Sequence, residues 1–354
     1  MIKNCIETNR GITIGKDSKT CINLLLGFNE RDAMKSEYEK VEFFSNGDQG
    51  VQIITDLSLC AVGEKERIWE KVLDSTCLMA GTVPVYLALS DDGVIELEKL
   101  KSDIMEQCEK GVSIITIHPT ANRELIALSE KRLMKCTSRG GGIVIRDLLF
   151  NKREENAYLL ILDDIIKACR ESNTIISLGS TFRSGTIGDA MDETYLEELK
   201  LQFKLAEYIE SNGVNVMLET PGHATPNSIR KICKLLSKYP YPIMPLGPIP
   251  TDIAGDEDDT AAVIGAVLMG EKNCADVLSV VTCEEHLGGI PSLEAIYKAV
   301  KKYRIAAHII DISKLNDVEK DLEVSYKRVK NGNCNMGDDR MCSRCGELCP
   351  LREV

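Results

Sequence analysis

The 354-residue sequence predicts a large α/β barrel of the (β/α)8 kind. Three observations carry that expectation. Short runs that are apolar on both faces recur along the chain, as buried parallel strands do. Patterns with helical spacing separate them. Polar and titratable residues gather just past the ends of the runs, where barrels of this class keep their chemistry.

The runs are Val51–Asp56, Val83–Tyr86, Val112–His118, Leu133–Thr137, Thr174–Leu178, Val214–Glu219, Ile243–Leu246 and Val277–Val281. They number eight and span about 230 residues, which suits a closed barrel better than an open doubly wound sheet. No Gly-x-Gly-x-x-Gly follows the first run, against a dinucleotide fold. Tyr195–Ser211 and Ile229–Lys238 read as intervening helices. Residues 1–48 read as a short, weakly patterned N-terminal segment, with a short strand near Ile22–Gly27 and a helix over Met34–Phe43. Residues 49–310 form the expected barrel. Residues 311–354 form a helical arm ending in a cysteine-bearing loop, joined by the polar linker 331–339.

Apolar content of 44% is enough for a full core. The net charge of −12 argues against non-specific binding to nucleic acid or an anionic membrane. No apolar run reaches the roughly 18–20 residues of a membrane span, and the start lacks a signal-peptide layout. Fourteen cysteines then imply a reducing cytoplasm. Most, such as Cys77, Cys136, Cys169 and Cys233, sit in apolar patterns and read as small buried hydrophobes.

The strand ends present Asp56, Tyr86, His118, Ser138-Arg139-Gly140-Gly141, Arg183, Glu219 with His223, the Leu246-Gly247-Pro248 turn with Asp252, and Glu285-His286. Three of the chain's four histidines are in that row; His308 lies in a helical pattern and reads as structural. Glu219 is a candidate acid/base or hydroxyl anchor. His223 and His286 follow the sixth and eighth strands, close enough to share one metal, against the plainer reading of solvated turn histidines. Ser138-Arg139-Gly140 reads as a glycine-rich anion cradle or as a mobile loop. Arg183 is a phosphate or carboxylate clamp, or a surface residue. His118 is a substrate contact or a buried rim residue. Cys342, Cys345 and Cys349 are too tightly spaced for easy mutual disulfides. They suit an iron–sulfur cluster with one open iron, a zinc knuckle with Cys334 as fourth ligand, or nothing beyond three thiols.

Asp56-Leu57-Ser58, Gly81-Thr82-Val83-Pro84-Val85-Tyr86, Thr116-Ile117-His118, Ser138-Arg139-Gly140-Gly141, Leu178-Gly179 with Arg183 and Gly185, Glu219-Thr220-Pro221-Gly222-His223, Leu246-Gly247-Pro248 with Thr251-Asp252-Ile253-Ala254, and Glu285-His286-Leu287-Gly288 occur in one order. In that order they resemble the phosphomethylpyrimidine synthase (ThiC) family of radical S-adenosylmethionine enzymes, over about residues 50–310 and again at the tail.

The resemblance implies a TIM barrel and a carbon–carbon lyase or rearrangement reaction. Aminoimidazole ribotide would become hydroxymethylpyrimidine phosphate for thiamine. A sister branch makes 5-hydroxybenzimidazole for cobamides from the same ribotide; a paralogue with another substrate, or a non-catalytic metal-binding barrel, are further readings. Cys342, Cys345 and Cys349 would hold a [4Fe–4S] cluster that binds S-adenosyl-L-methionine, takes an electron from ferredoxin or flavodoxin, and generates a 5′-deoxyadenosyl radical. His223 and His286 would hold a divalent zinc or iron. Tyr86, His118, Ser138, Arg139, Gly140, Arg183 and Glu219 would contact the ribotide, with Glu219 and His118 catalytic. A cytoplasmic homodimer is implied, the cluster arm of one chain covering the other's barrel. The sequence departs from the family pattern in places. The tail is Cys-x2-Cys-x3-Cys rather than Cys-x2-Cys-x4-Cys, and Leu25, Thr55, Ser180 and Met244 replace an asparagine, a methionine, an aspartate and a tyrosine.

Overall fold

The computed structural model describes residues 5–45, 49–59, 67–334 and 343–352. Cys342 and Cys60 lie outside them. A short antiparallel hairpin, β1 (Cys5–Glu7) and β2 (Thr13–Gly15), precedes the barrel. The barrel strands are β3 (Cys21–Leu26), β4 (Ile53–Asp56), β5 (Met79–Thr82), β6 (Ile114–Ile117), β7 (Ile175–Leu178), β8 (Val216–Glu219), β9 (Ile243–Met244) and β10 (Val277–Ser279). They form one parallel sheet in the order β10-β3-β4-β5-β6-β7-β8-β9. The sheet is brought nearly to closure by Asp276. Its N–H donates to Ile243 O at 2.8 Å, and its Oδ2 accepts from Ile243 N at 2.9 Å. Lys314 balances that buried carboxylate at 2.8 Å. A buried charge left without its partner is strongly destabilising.

The helices are α1 (Met34–Phe44), α2 (Ile68–Ser75), α3 (Leu97–Lys110), α4 (Arg123–Ser129), α5 (Arg139–Phe150), α6 (Ala157–Leu160), α7 (Leu162–Ser172), α8 (Glu193–Ser211), α9 (Pro226–Leu236), α10 (Asp258–Gly270), α11 (Leu293–Leu315) and α12 (Glu319–Asn331). No described helix is long and apolar enough to cross a membrane.

The expected (β/α)8 class holds, but the eight barrel strands are not the eight expected runs. Cys21–Leu26 pairs between β10 and β4, so the barrel takes a strand from the segment before residue 49. Leu133–Thr137 is no strand. Leu133 and Met134 stand 81% and 42% exposed, and their N–H groups donate to the Asp189 carboxylate. In the Val83–Tyr86 run, β5 ends one residue earlier and a 3-10 turn spans Pro84–Tyr86. The expected helices near 34–43, 195–211 and 229–238 are α1, α8 and α9.

Inward residues alternate along strands with a period of two. Cys21, Ile53, Met79, Ile114, Ile175, Met217, Met244 and Val277, one from each barrel strand, make an apolar layer at the N-terminal end. Ile6 and Ile14 of the hairpin pack into it. Each such side chain contributes about 1.5–3 kcal/mol when fully buried, so the hairpin is a plug. Two residues further along the strands come Asn23, Thr55, Thr116, Ser177, Glu219 and Ser279, all buried and all polar. The barrel is sealed with hydrocarbon below and lined with hydrogen-bonding groups above.

Candidate active site

A cavity of about 400 Å³ opens above the polar layer. Tyr86, His118, Ser138, Arg139, Arg183, Glu219 and His286 of the expected residues line it, as do Asn23, Thr55 and Thr116. That volume lies within the roughly 300–1,000 Å³ usual for small-ligand sites.

Glu219 ends β8 and is 6% exposed. It accepts from Thr116 Oγ1 at 3.1 Å and Ser177 Oγ at 3.4 Å. Burial raises its pKa above the usual carboxylate range, against the charge of Arg183 and these two hydroxyls. His118 follows β6 and is 3% exposed. Burial, then the Arg183 charge, depresses its pKa to about 3, so the imidazole is neutral at physiological pH. Its Nε2 sits 3.0 Å from Ser138 Oγ, and its buried Nδ1 has no partner among the described residues. A buried, unpaired ring nitrogen on a cavity wall is the atom a ligand would satisfy.

Ser138 is not a strand end. It caps α5, accepting from Gly141 N at 3.1 Å. The glycines that read as an anion cradle are the first turn of this helix. A Cβ at Gly140 would lie 2.5 Å from the His118 ring, and one at Gly141 would lie 2.7 Å from Thr181 Cα. A Cβ at Gly179 would lie 2.6 Å from Nε2 of the same ring. Small residues here let backbone close on the imidazole. Arg139 stacks its guanidinium 4.2 Å from the Tyr86 ring centroid and donates to Leu57 O at 2.8 Å. Arg183 donates to Ser180 O at 3.3 Å, and its loop hangs on buried Glu198, which accepts from Ser180 Oγ and the N–H groups of Thr181 and Phe182. Asp56 serves the backbone, accepting from Ser58 N and Trp69 N.

At the rim, the His223 and His286 rings stand 6.2 Å apart between centroids. His223 Nδ1 is 2.7 Å from Asp252 Oδ1, and His286 Nδ1 is 2.5 Å from Asp258 Oδ2. Partial burial pushes the Asp252 carboxyl up, but hydrogen bonds from His223 and Ile187 N–H hold it below the usual range. A carboxylate on Nδ1 fixes the ring and leaves Nε2 outward, the orientation metal-ligating histidines need. Two nitrogen–metal bonds of about 2.0–2.1 Å added to the ring radii span about this separation. The pair therefore fits one divalent ion with open positions, although no described group of three or more such ligands exists.

Cys345 and Cys349 flank the 3-10 turn Gly346–Leu348. Cys349 is 4% exposed, its Sγ 3.9 Å from Gly332 O, so the loop rests on the end of α12. Soft thiolates grouped in one loop fit an iron–sulfur cluster. His308 lies in α11 with Nε2 2.6 Å from Asp321 Oδ2 of α12.

Sequence reasoning missed Asp258, hidden in the acidic run 256–259, and gave no role to Ser177 or Ser279. The inward alternation Ile175/Ser177 and Val277/Ser279 was the signal that marks the last two.

The polar, titratable cavity at the barrel mouth has the make-up of a small-molecule enzyme site. The chain matches the Radical SAM ThiC family over residues 1–336. It is 32% identical to the phosphomethylpyrimidine synthase of Pyrobaculum aerophilum over 377 residues, covering 97% of this chain and 86% of that protein. It is 31% identical to that of Carboxydothermus hydrogenoformans (96% of this chain, 85% of that protein). Identity to that of Sulfolobus acidocaldarius is 34% (90% of this chain, 76% of that protein). The chain belongs to the radical SAM ThiC family. Its chemistry accordingly uses a [4Fe–4S] cluster and S-adenosylmethionine.

Proposed function

We propose that this chain rearranges aminoimidazole ribotide, or a close relative, to hydroxymethylpyrimidine phosphate for thiamine. The observation that carries the reading is one cavity of about 400 Å³ containing buried Glu219, neutral His118 and the cations Arg139 and Arg183. A phosphorylated ribotide needs cations for its phosphate and hydrogen-bonding groups for its ribose.

Cys342, Cys345 and Cys349 would hold the cluster, and His223 with His286 the divalent zinc or iron. When bound, cluster and S-adenosylmethionine supply hydrogen-atom abstraction at an unactivated carbon. The chain's own residues bind and orient. Arg139 and Arg183 hold the phosphate. His118 Nδ1, buried and unpaired among the described residues, takes a substrate hydroxyl or amine. Glu219 accepts a ribose proton and returns it, a task suited to a carboxyl whose pKa burial raises. The apolar floor excludes water from a radical reaction. The arm would act across a homodimer, its cluster taking an electron from a reductant such as ferredoxin or flavodoxin.

A second reading, the 5-hydroxybenzimidazole branch, draws on the apolar wall of Leu25, Leu57, Val83 and Met244. Anaerobic turnover with ribotide followed by product analysis separates the two. Hydroxymethylpyrimidine phosphate supports the first reading. A benzimidazole overturns it.

A further inference from the structure

A second cavity, of about 620 Å³, opens at the opposite end of the barrel, between α3, α7 and the hairpin plug. Asn9 of the plug ties to it through a bond to Gly111 O at 3.3 Å. Cys108 of α3 lies in its wall, and Cys169 of α7 packs directly behind, with 3.8 Å between the sulfurs. α3 and α7 run side by side along this contact. Both side chains are buried.

The hydroxyls of Ser172 and Thr174, 2.7 Å apart, lie beside Cys108; Ser172 Oγ donates to Ala168 O at 2.9 Å and Thr174 Oγ1 to Val112 O at 2.8 Å. The Cys169 contact first, and then these hydroxyls, hold the Cys108 thiol below the usual value despite burial. The same contact holds Cys169 well above it. Cys21 shows the ordinary outcome, since burial, against the Lys314 charge, pushes that thiol to about 12. One sulfur of the pair thus lines a cavity, and the other lies directly behind it, 3.8 Å away.

We propose that Cys108 and Cys169 form a peroxide-oxidisable dithiol that closes into a disulfide across α3 and α7. The Cys108 thiolate attacks one peroxide oxygen. The O–O bond breaks, hydroxide leaves and takes a proton as water, and a sulfenic acid remains. The Cys169 sulfur then attacks the Cys108 sulfur. The S–O bond breaks, and the departing hydroxide takes the Cys169 proton as a second water. The two thiols have lost two electrons to the peroxide. The sulfurs must close from 3.8 Å to about 2.05 Å. That displacement falls on two helices at the end of the barrel away from the mouth, so the pair is oxidised without entering the proposed reaction.

The test uses the full chain without its cluster, treated with hydrogen peroxide and then mapped by non-reducing peptide mass spectrometry. The expected result is a linked peptide pair carrying residues 108 and 169, lost on treatment with dithiothreitol. In Cys169→Ser, dimedone should trap a sulfenic acid at Cys108. In the unaltered chain, a thiol-alkylating probe should label Cys108 at least about tenfold faster than Cys21, a comparison that needs no variant to fold. A folded chain that forms no 108–169 link under peroxide overturns the proposal. So does labelling of Cys21 as fast as Cys108.

Discussion

The barrel mouth and the C-terminal arm solve different problems. At the mouth, Glu219 and His118 are buried, and neighbours positioned by the strands hold them in place. On the arm, α12 buries none of its side chains, and Leu322, Tyr326 and Val329 are exposed. The mouth is preorganised within one chain. The arm bears the cysteine loop on a helix that makes little use of this chain's own core. On the proposed reading, a rigid binding half and a redox half carried on the arm suit chemistry in which a cofactor must be brought to a substrate already enclosed.

Substitutions in the two regions sharpen that contrast. Cys345→Ser should erase the cluster's visible absorbance and cut 5′-deoxyadenosine formation by at least about 10³-fold, because cluster ligands act as a unit. Ribotide binding, measured by calorimetry, should be unchanged. Weakened ribotide binding would show that the arm is part of the substrate pocket itself.

Glu219→Gln should lower turnover by about 10²–10⁴-fold and at the same time stabilise the fold. Burial raises the folded-state pKa of Glu219. Its contribution to stability is therefore present below the usual carboxylate pKa and is lost as pH rises through the raised value. The variant should resist urea better than the parent at pH 8, and the difference should vanish at low pH. Equal urea midpoints at pH 8 would mean that Glu219 is solvated.

Asp252→Asn or Asp258→Asn should weaken divalent-metal binding by about 10–100-fold, read by metal titration of the cluster-free chain. His118 gives a smaller effect of opposite sign to Glu219. Its folded-state pKa is about 3 against 6.5, so its contribution is present above 6.5 and is lost as pH falls towards 3. His118→Gln should flatten acid destabilisation in that window by up to about 1.4 kcal/mol per pH unit, checked by urea midpoints. Smallest of all, His308→Gln removes the exposed bond to Asp321 and should change stability by no more than about 0.5 kcal/mol and turnover not at all.

The sequence was most informative where a strand end coincided with a polar motif. Glu219, His223 and His286 were legible because they follow genuine strands. The count of eight strands survived two opposite errors. Ile22–Gly27 was read as a short strand of the N-terminal segment and not of the barrel, yet Asn23 is an inward barrel residue that accepts from Thr55 Oγ1 at 2.8 Å. Leu133–Thr137 was let in because its residues are apolar, although no partner strand covers them. Pairing partners far apart in sequence decide such cases, and local pattern does not carry them. The glycines after Ser138 misled for a related reason: their purpose is close packing on His118 and Thr181, which only the fold displays. The arm was legible as composition alone, since exposed apolar residues on a helix do not say what they will meet.

The most direct test of the account is anaerobic. The chain is reconstituted with iron and sulfide, reduced with dithionite, and supplied with S-adenosylmethionine with and without aminoimidazole ribotide. The readout is 5′-deoxyadenosine. The account predicts a bound cluster and release that ribotide strongly stimulates, because the enclosed mouth and the cysteine loop serve one reaction. A bound cluster whose cleavage of S-adenosylmethionine is indifferent to ribotide would contradict the proposed substrate.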